Sequence, residues 1–396
     1  MIGVVPFEAS RISIYASSIL ILLTIWSAVR QTRPTANWNA MLVGLGIGYL
    51  FILSSQAPLI TLFWLVQVVM IAAWIWSLHA IKIPLKDILV WFVLSLIPHA
   101  LLAIDQFIRQ EVLGTKWLGI AAQDPMTPGV SVVLGDPYSI FHIPSTTTRI
   151  LRAYGGLPHP NILGGWMAVG SMATLSLAMM TEQSKHRYLW VGLGGICLLA
   201  LVLTFSRSAW LMLAIGLVGI ACVHKKRKLI SVFAGLFILT LCATAPVWTS
   251  RVTVVNRLET KSIDERSLTY GASIQAIQSK SLLGYGLATA PLALQAVLGQ
   301  LPAPLYPHNL PLMVLLEAGM FGLGLALYLL WQLRRSVENW FWLAMILPVV
   351  LLDHYLWSFW PGQLLFGLII LFSLQKKATF GDLTQAPTIG QSMHTD

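Results

Sequence analysis

The chain has 396 residues, 57% of them hydrophobic and only 10% charged, with a formal net charge of +10 and a mean hydropathy of +0.75. This composition excludes a soluble globular domain and a disordered one, and it places the chain in a lipid bilayer. The positive charge is therefore read by its position along a membrane topology; no nucleic-acid partner is expected.

A helix needs roughly 20 apolar residues to cross the hydrocarbon core. Apolar runs that approach this length lie near residues 10–29, 38–54, 58–79, 88–108, 161–180, 188–204, 208–223, 229–248, 311–332, 340–356 and 362–375. The expected fold is an all-α polytopic membrane protein of about 11 transmembrane helices, forming one domain over residues 1–378. The N-terminal MIGVVPFEASR lacks the basic region and cleavage site of a signal peptide, so the first run is expected to stay in the mature protein. Two connections are long, 109–160 and 249–310. In the second, Leu268, Ala272, Ile274 and Ile277 fall near helical spacing, which predicts an amphipathic surface helix starting at Ser262 or Asp264 and ended by GYG at 284–286. Cys197, Cys222 and Cys242 sit inside apolar runs and read as small buried hydrophobes. The polar tail, 379–396, is expected to be disordered.

Orientation follows from lysine and arginine. Alternate connections carry Arg30 and Arg33, Lys82 and Lys86, Lys185 and Arg187, Lys225 to Lys228, Arg334 and Arg335, then Lys376 and Lys377. These connections are expected to be cytoplasmic, and both long ones extracytoplasmic. The expected location is the cytoplasmic (inner) membrane of a bacterium.

Basic residues on the outer side break the positive-inside pattern and favour arginine: Arg11, Arg109, Arg149, Arg152, Arg207, Arg251, Arg257 and Arg266. A guanidinium grips phosphate through two parallel hydrogen bonds, whereas an ammonium is a point charge, so a phosphate-bearing ligand is expected there. Arg11, Arg109 and Arg251 flank runs and suit snorkelling to lipid headgroups. Arg207, in LTFSRSAWLML, is confined to a tight hairpin between two runs. Arg152 and His159 share the glycine- and proline-rich turn RAYGGLPHPN, where Asn161 is a fitting N-cap and the new helix offers its positive end to an anion. Arg266 rides on the amphipathic helix.

His308 and Asn309 begin the run at 311, and Glu317 lies about two turns inside it, where an acid either serves function or accepts hydrogen bonds from a broken backbone or a neighbouring Trp or Tyr. His99, beside Pro98, is the midspan ionisable residue that a solute transporter, the alternative class, would need. The outer acids Glu111, Asp124, Asp136, Glu259, Asp264 and Glu265 form no Asp-x-Asp or other convergent set, so neither a metal nor another cofactor is expected.

Three segments resemble the O-antigen ligase and O-antigen polymerase superfamily of membrane glycosyltransferases: RAYGGLPHPNILGGWM, LTFSRSAWLML and PHNLPLMVLLEAGMFGLGL, in the family's order. The resemblance implies a metal-independent enzyme of polysaccharide biosynthesis. It would transfer a glycan from an undecaprenyl-diphosphate-linked donor to an acceptor hydroxyl, on a glycan, lipid or protein acceptor, at the outer face of the bilayer. It also implies catalytic roles for His308, acting on the acceptor hydroxyl, and Arg207, acting on the diphosphate. Arg152, Arg266, His159, Asn309 and Glu317 would bind substrate. These groups are expected to converge on one outward cavity.

Overall fold

The computed structural model describes residues 16–32, 38–115, 120–134, 149–224, 226–245, 257–299 and 304–375. Arg11, Arg251 and the tail from 379 lie outside them. Helices occupy ten of the eleven apolar runs: α1 (Ala16–Thr32), α2 (Trp38–Ser54), α3 (Pro58–Ala80), α4 (Leu85–Arg109), α5 (Pro160–Met180), α6 (Ser184–Leu203), α7 (Arg207–Val223), α8 (Arg227–Ala243), α11 (Leu310–Leu333) and α15 (Trp360–Leu374). Five of them, α3, α4, α5, α6 and α11, are long and apolar enough to cross a membrane. The amphipathic segment is α9 (Arg257–Ser279), followed by α10 (Ala290–Leu298).

The run at 340–356 is broken. It forms α12 (Trp340–Ala344), α13 (Leu347–Leu352) and α14 (Tyr355–Ser358), with Asp353 in extended backbone between the last two. Hydropathy over this window is high enough for a span, but a carboxylate at 353 forms better hydrogen bonds where the helix has ended than inside it. A second departure is an antiparallel ribbon in the first long connection, β1 (Val132–Leu134) with β2 (Arg149–Leu151), Val133 facing Ile150.

Helix α5 is the axis of the bundle, packed against α4, α6 and α7, and almost every residue along it is buried. Its small residues make that possible, because helices approach closely in a bilayer where glycine, alanine and serine face each other. A Cβ at Gly164 would lie 2.8 Å from the Ala209 Cβ and 3.0 Å from the Ser206 Cβ, so this glycine lets the α6–α7 hairpin sit against the start of α5. Elsewhere apolar side chains face outward toward lipid, and this corrects the cysteine expectation: Cys197 is buried, but Cys222 and Cys242 are exposed on the outer sides of α7 and α8. In a membrane an apolar residue is as well placed facing lipid as facing protein.

Helix α11 is interrupted at Gly319, whose φ of 65° is left-handed. The segment after α9 docks into the break: Tyr285 N–H donates to Leu316 O at 3.0 Å, Gly286 N–H to Glu317 O at 2.8 Å, and Met320 N–H to Ser281 O at 2.8 Å. These bonds replace those that the broken helix loses. Non-helical backbone at membrane depth is tolerated where protein buries it in this way.

Candidate active site

One end of the bundle gathers the C-terminal ends of α4 and α6, the N-terminal ends of α5, α7 and α11, and the break at Asp353. The turn after β2 is seated first. Gly155 and Gly156 take positive φ, Gln106 Oε1 accepts from Gly155 N–H at 2.8 Å, and Ala153 N–H donates to Leu203 O at 3.1 Å. His99 Nδ1 lies 2.7 Å from Gly155 O, so the residue that a transporter path would need is engaged in holding this turn.

The anchored turn sets Arg152 against the α6–α7 hairpin. Arg152 is buried, with Nε donating to Thr204 O at 2.6 Å and Nη2 donating to Asn161 Oδ1. Asn161 Nδ2 in turn donates to Asp353 Oδ2 at 2.7 Å. The reverse amide orientation would point NH₂ at a guanidinium, so the two charges fix it. Asp353 is 4% exposed, and its Oδ1 accepts from His354 N–H at 2.8 Å and faces His308 Nδ1 at 3.7 Å. Burial by itself would raise the Asp353 carboxyl, but the hydrogen-bonding pull of His308, with His354 beside it, outweighs burial and holds the group below the ordinary carboxylate range.

The three imidazoles differ in what they can do. His159, not Asn161, caps α5: its Nδ1 accepts from Asn161 N–H at 3.1 Å and its Nε2 sits 3.0 Å from Ser131 Oγ. Pro160 at the first helical position needs no partner for a missing N–H, which moves the cap back to His159. Burial first, and then the charge of Arg152, lower the His159 pKa to about 3, so the ring is neutral with both nitrogens engaged. His354 is buried, stacked on Tyr306 at 4.6 Å between ring centroids. Ser358 Oγ donates to His354 O and therefore accepts from His354 Nδ1 at 2.6 Å. His308 is the imidazole that solvent reaches, its side chain 34% exposed while its Nδ1 is buried without a hydrogen-bond partner among the described residues. Tyr270 Oη donates to His308 O at 2.8 Å, which fixes the backbone beneath the ring.

Arg152, His308 and Asp353 all lie close enough to act electrostatically on His159. Arg266, one turn before Tyr270 on α9, joins them from the other side: it and Asp353 both act on the Tyr270 hydroxyl, which burial raises above its ordinary range. The Arg266 Nε is buried and has no hydrogen-bond partner among the described residues. Arg207 is exposed at the first position of α7, three residues beyond Thr204 and thus within about 11 Å of it, Cα to Cα. Asn309 caps α11, accepting from Leu312 N–H at 3.0 Å and donating to Leu351 O at 3.2 Å. Glu317 faces away from this group: it accepts from Ala288 N–H and Ala290 N–H, each at 2.8 Å, and from Trp357 Nε1–H at 2.6 Å.

Asp353, His354 and Tyr270 are absent from the residues that the sequence singled out. The signal for the first two was present, since an adjacent Asp and His inside an apolar run is costly unless partnered. His308, Asp353 and His354 each offer an atom within 4.8 Å of the others, and they are the group among the described residues that could hold a metal ion.

The His159 cap makes a pH prediction. The unfolded chain takes up a proton on this imidazole near pH 6.5, whereas the folded chain resists protonation down to about 3. The stability it contributes is complete above about 6.5 and is lost as pH falls toward 3. Thermal unfolding in detergent is expected to drop between pH 7 and 4.5, and His159→Asn, which keeps a cap without a titrating ring, is expected to flatten that drop. An unchanged profile in the variant would show that another group carries the acid response.

The fold and site thus define an all-helical membrane protein with a histidine, a buried carboxylate and several arginines gathered at one end of its bundle. Residues 192–328 match the family model described as O-antigen ligase, and the match supports membership of the chain in the O-antigen ligase and polymerase superfamily. The matched segment contains Arg207, Arg266, His308, Asn309 and Glu317. No curated protein and no solved structure shows significant similarity to the chain.

Proposed function

We propose that the chain is a metal-independent glycosyltransferase that moves a glycan from an undecaprenyl diphosphate carrier to an acceptor hydroxyl, ligase-like or polymerase-like, at the extracytoplasmic face of a bacterial cytoplasmic membrane. The observation that carries the reading is the meeting of a solvent-reachable imidazole, His308, with arginines at one end of the bundle, where Arg266 has an unspent Nε. The distribution of lysine and arginine along the chain supports an extracytoplasmic position for that end.

In this reading His308 Nε2 takes the proton of the acceptor hydroxyl as its oxygen bonds to the anomeric carbon. The bond from that carbon to the diphosphate oxygen breaks, and its electron pair leaves with the lipid diphosphate. Arg266 and Arg207 face the charge that develops there, where preorganised donors act most strongly. Arg152 contributes its charge from the buried layer beneath, and its hydrogen bonds set Asn161.

The test is reconstitution in liposomes with a lipid-diphosphate-linked oligosaccharide. Products that lengthen in multiples of the repeat mark a polymerase, and a single transfer to a new acceptor marks a ligase. Arg266→Ala is expected to weaken donor binding by roughly 10-fold or more, the value of a charged hydrogen bond, with a smaller change at the acceptor. Absence of transfer from any lipid diphosphate, or loss of transfer on removal of divalent ions, would refute the proposal.

A further inference from the structure

We infer that Asp353 is a positioning residue: its carboxylate, held by Asn161, keeps the proton of neutral His308 on Nδ1 and so leaves Nε2 as the nitrogen that receives the acceptor's proton. The inference rests on the glycosyl-transfer reading for its consequence, but its geometry stands independently.

Asp353 is an acid in extended backbone between α13 and α14, and its Oδ2 is fixed by Asn161 while its Oδ1 accepts the N–H of His354. Asn161 cannot rotate to offer its oxygen instead, because Arg152 already donates to that oxygen. The carboxylate is therefore locked, with Oδ1 directed at the buried side of His308.

A neutral imidazole has one N–H and one lone pair. With Nδ1 buried and facing a carboxylate oxygen at 3.7 Å, a lone pair there would be repelled and an N–H attracted. The proton consequently belongs on Nδ1, and the contact shortens to hydrogen-bond length as the ring acquires positive charge during transfer, since catalytic hydrogen bonds in a free enzyme are commonly long. Nε2 lies on the exposed side of the ring. The remaining imidazoles cannot substitute: both nitrogens of His159 are engaged, and His354 is buried beneath Tyr306 with Nδ1 committed to Ser358. Arg152, Asn161, Asp353 and His308 form one chain of contacts, so a residue that the sequence suggested for the donor instead also orients the base.

The replacement Asp353→Asn separates orientation from bulk. The new amide has one oxygen for two donors, Asn161 Nδ2–H and His354 N–H; the turn that keeps the Asn161 bond strands the His354 N–H and presents N–H to His308 Nδ1. That nitrogen must then accept, and the proton moves to Nε2, where it blocks the base. The expected result is a loss of kcat of about 10³–10⁴-fold, the scale of a wrongly placed imidazole proton, with KM for the lipid-linked donor nearly unchanged. The second measurement needs no substrate. In protein labelled with ¹⁵N-histidine, the His308 signals are identified by their loss in His308→Gln; Nδ1 is expected to be the protonated nitrogen in the natural protein and Nε2 in Asp353→Asn.

A proton on Nε2 of His308 in the natural protein overturns the inference even if Asp353→Asn fails to fold. Equal tautomers in both proteins, or a kcat within 10-fold of the natural protein's, overturns it as well. If dialysis against a chelator abolishes transfer and Zn²⁺ restores it while shifting the His308 and His354 signals, Asp353 is a metal ligand and the inference falls. The expected tautomers without any transfer from lipid diphosphates would keep the Asp353–His308 pair and remove the proposed reaction.

Discussion

His308→Ala is expected to retain binding of the lipid-linked donor while transfer falls by about 10²–10⁴-fold, the usual contribution of a positioned general base. The expectation follows from where the residue spends its contacts. The His308 backbone is secured by Tyr270 through its carbonyl, a bond that an alanine keeps. Its ring faces Asp353 on one side and solvent on the other, so truncation removes the imidazole without emptying the core. The guanidinium groups assigned to the diphosphate are untouched. Donor affinity measured on the purified variant, beside single-turnover transfer, separates the two roles. A matching loss of donor binding would mean that His308 holds the diphosphate and that the base lies elsewhere.

Glu317→Ala is expected to cost the protein stability. The side chain is fully buried and accepts from three donors, Ala288 N–H, Ala290 N–H and Trp357 Nε1–H. Removing the carboxylate takes this acceptor from all three, at about 1–3 kcal/mol for each buried donor left unmade. Two of them stand at the start of α10, so that helix loses its cap. The third lies on α14, just past Asp353 and His354, so activity should decline with the loss of order there. Glu317→Gln also fails to restore the network, because its NH₂ meets an N–H where an acceptor is needed. Unfolding in detergent, followed by tryptophan fluorescence, is expected to show lower midpoints for both variants. A natural midpoint accompanied by lost transfer would instead place Glu317 in the chemistry.

The contrast between these two residues shows what sequence could convey. Both lie in one short segment, PHNLPLMVLLEAG, and both looked functional for sound reasons: a histidine at the mouth of an apolar run, and an acid within it. A sequence window reports the mean cost of transferring its residues into lipid, which is why helices were found at ten of the eleven runs and why the arginine excess was visible at all. It does not report which other helix supplies a partner. Glu317 meets backbone donors from the segment that fills the α11 break, and His308 meets a carboxylate from a different run.

The sequence by itself determined that the chain belongs in a bilayer, where its helices fall, and that arginine and histidine gather in the loops at 149–161 and 204–208 and near 308. Tertiary structure decided the break at Asp353, because a single acid and a histidine barely lower the hydropathy of a run that is otherwise apolar, while their hydrogen bonds come from Asn161 and Ser358. It also decided that His159 caps α5 and that Arg152 turns inward to Thr204 and Asn161. A buried charge takes its position from the partners that compensate it, and those partners are brought together only when distant helices pack.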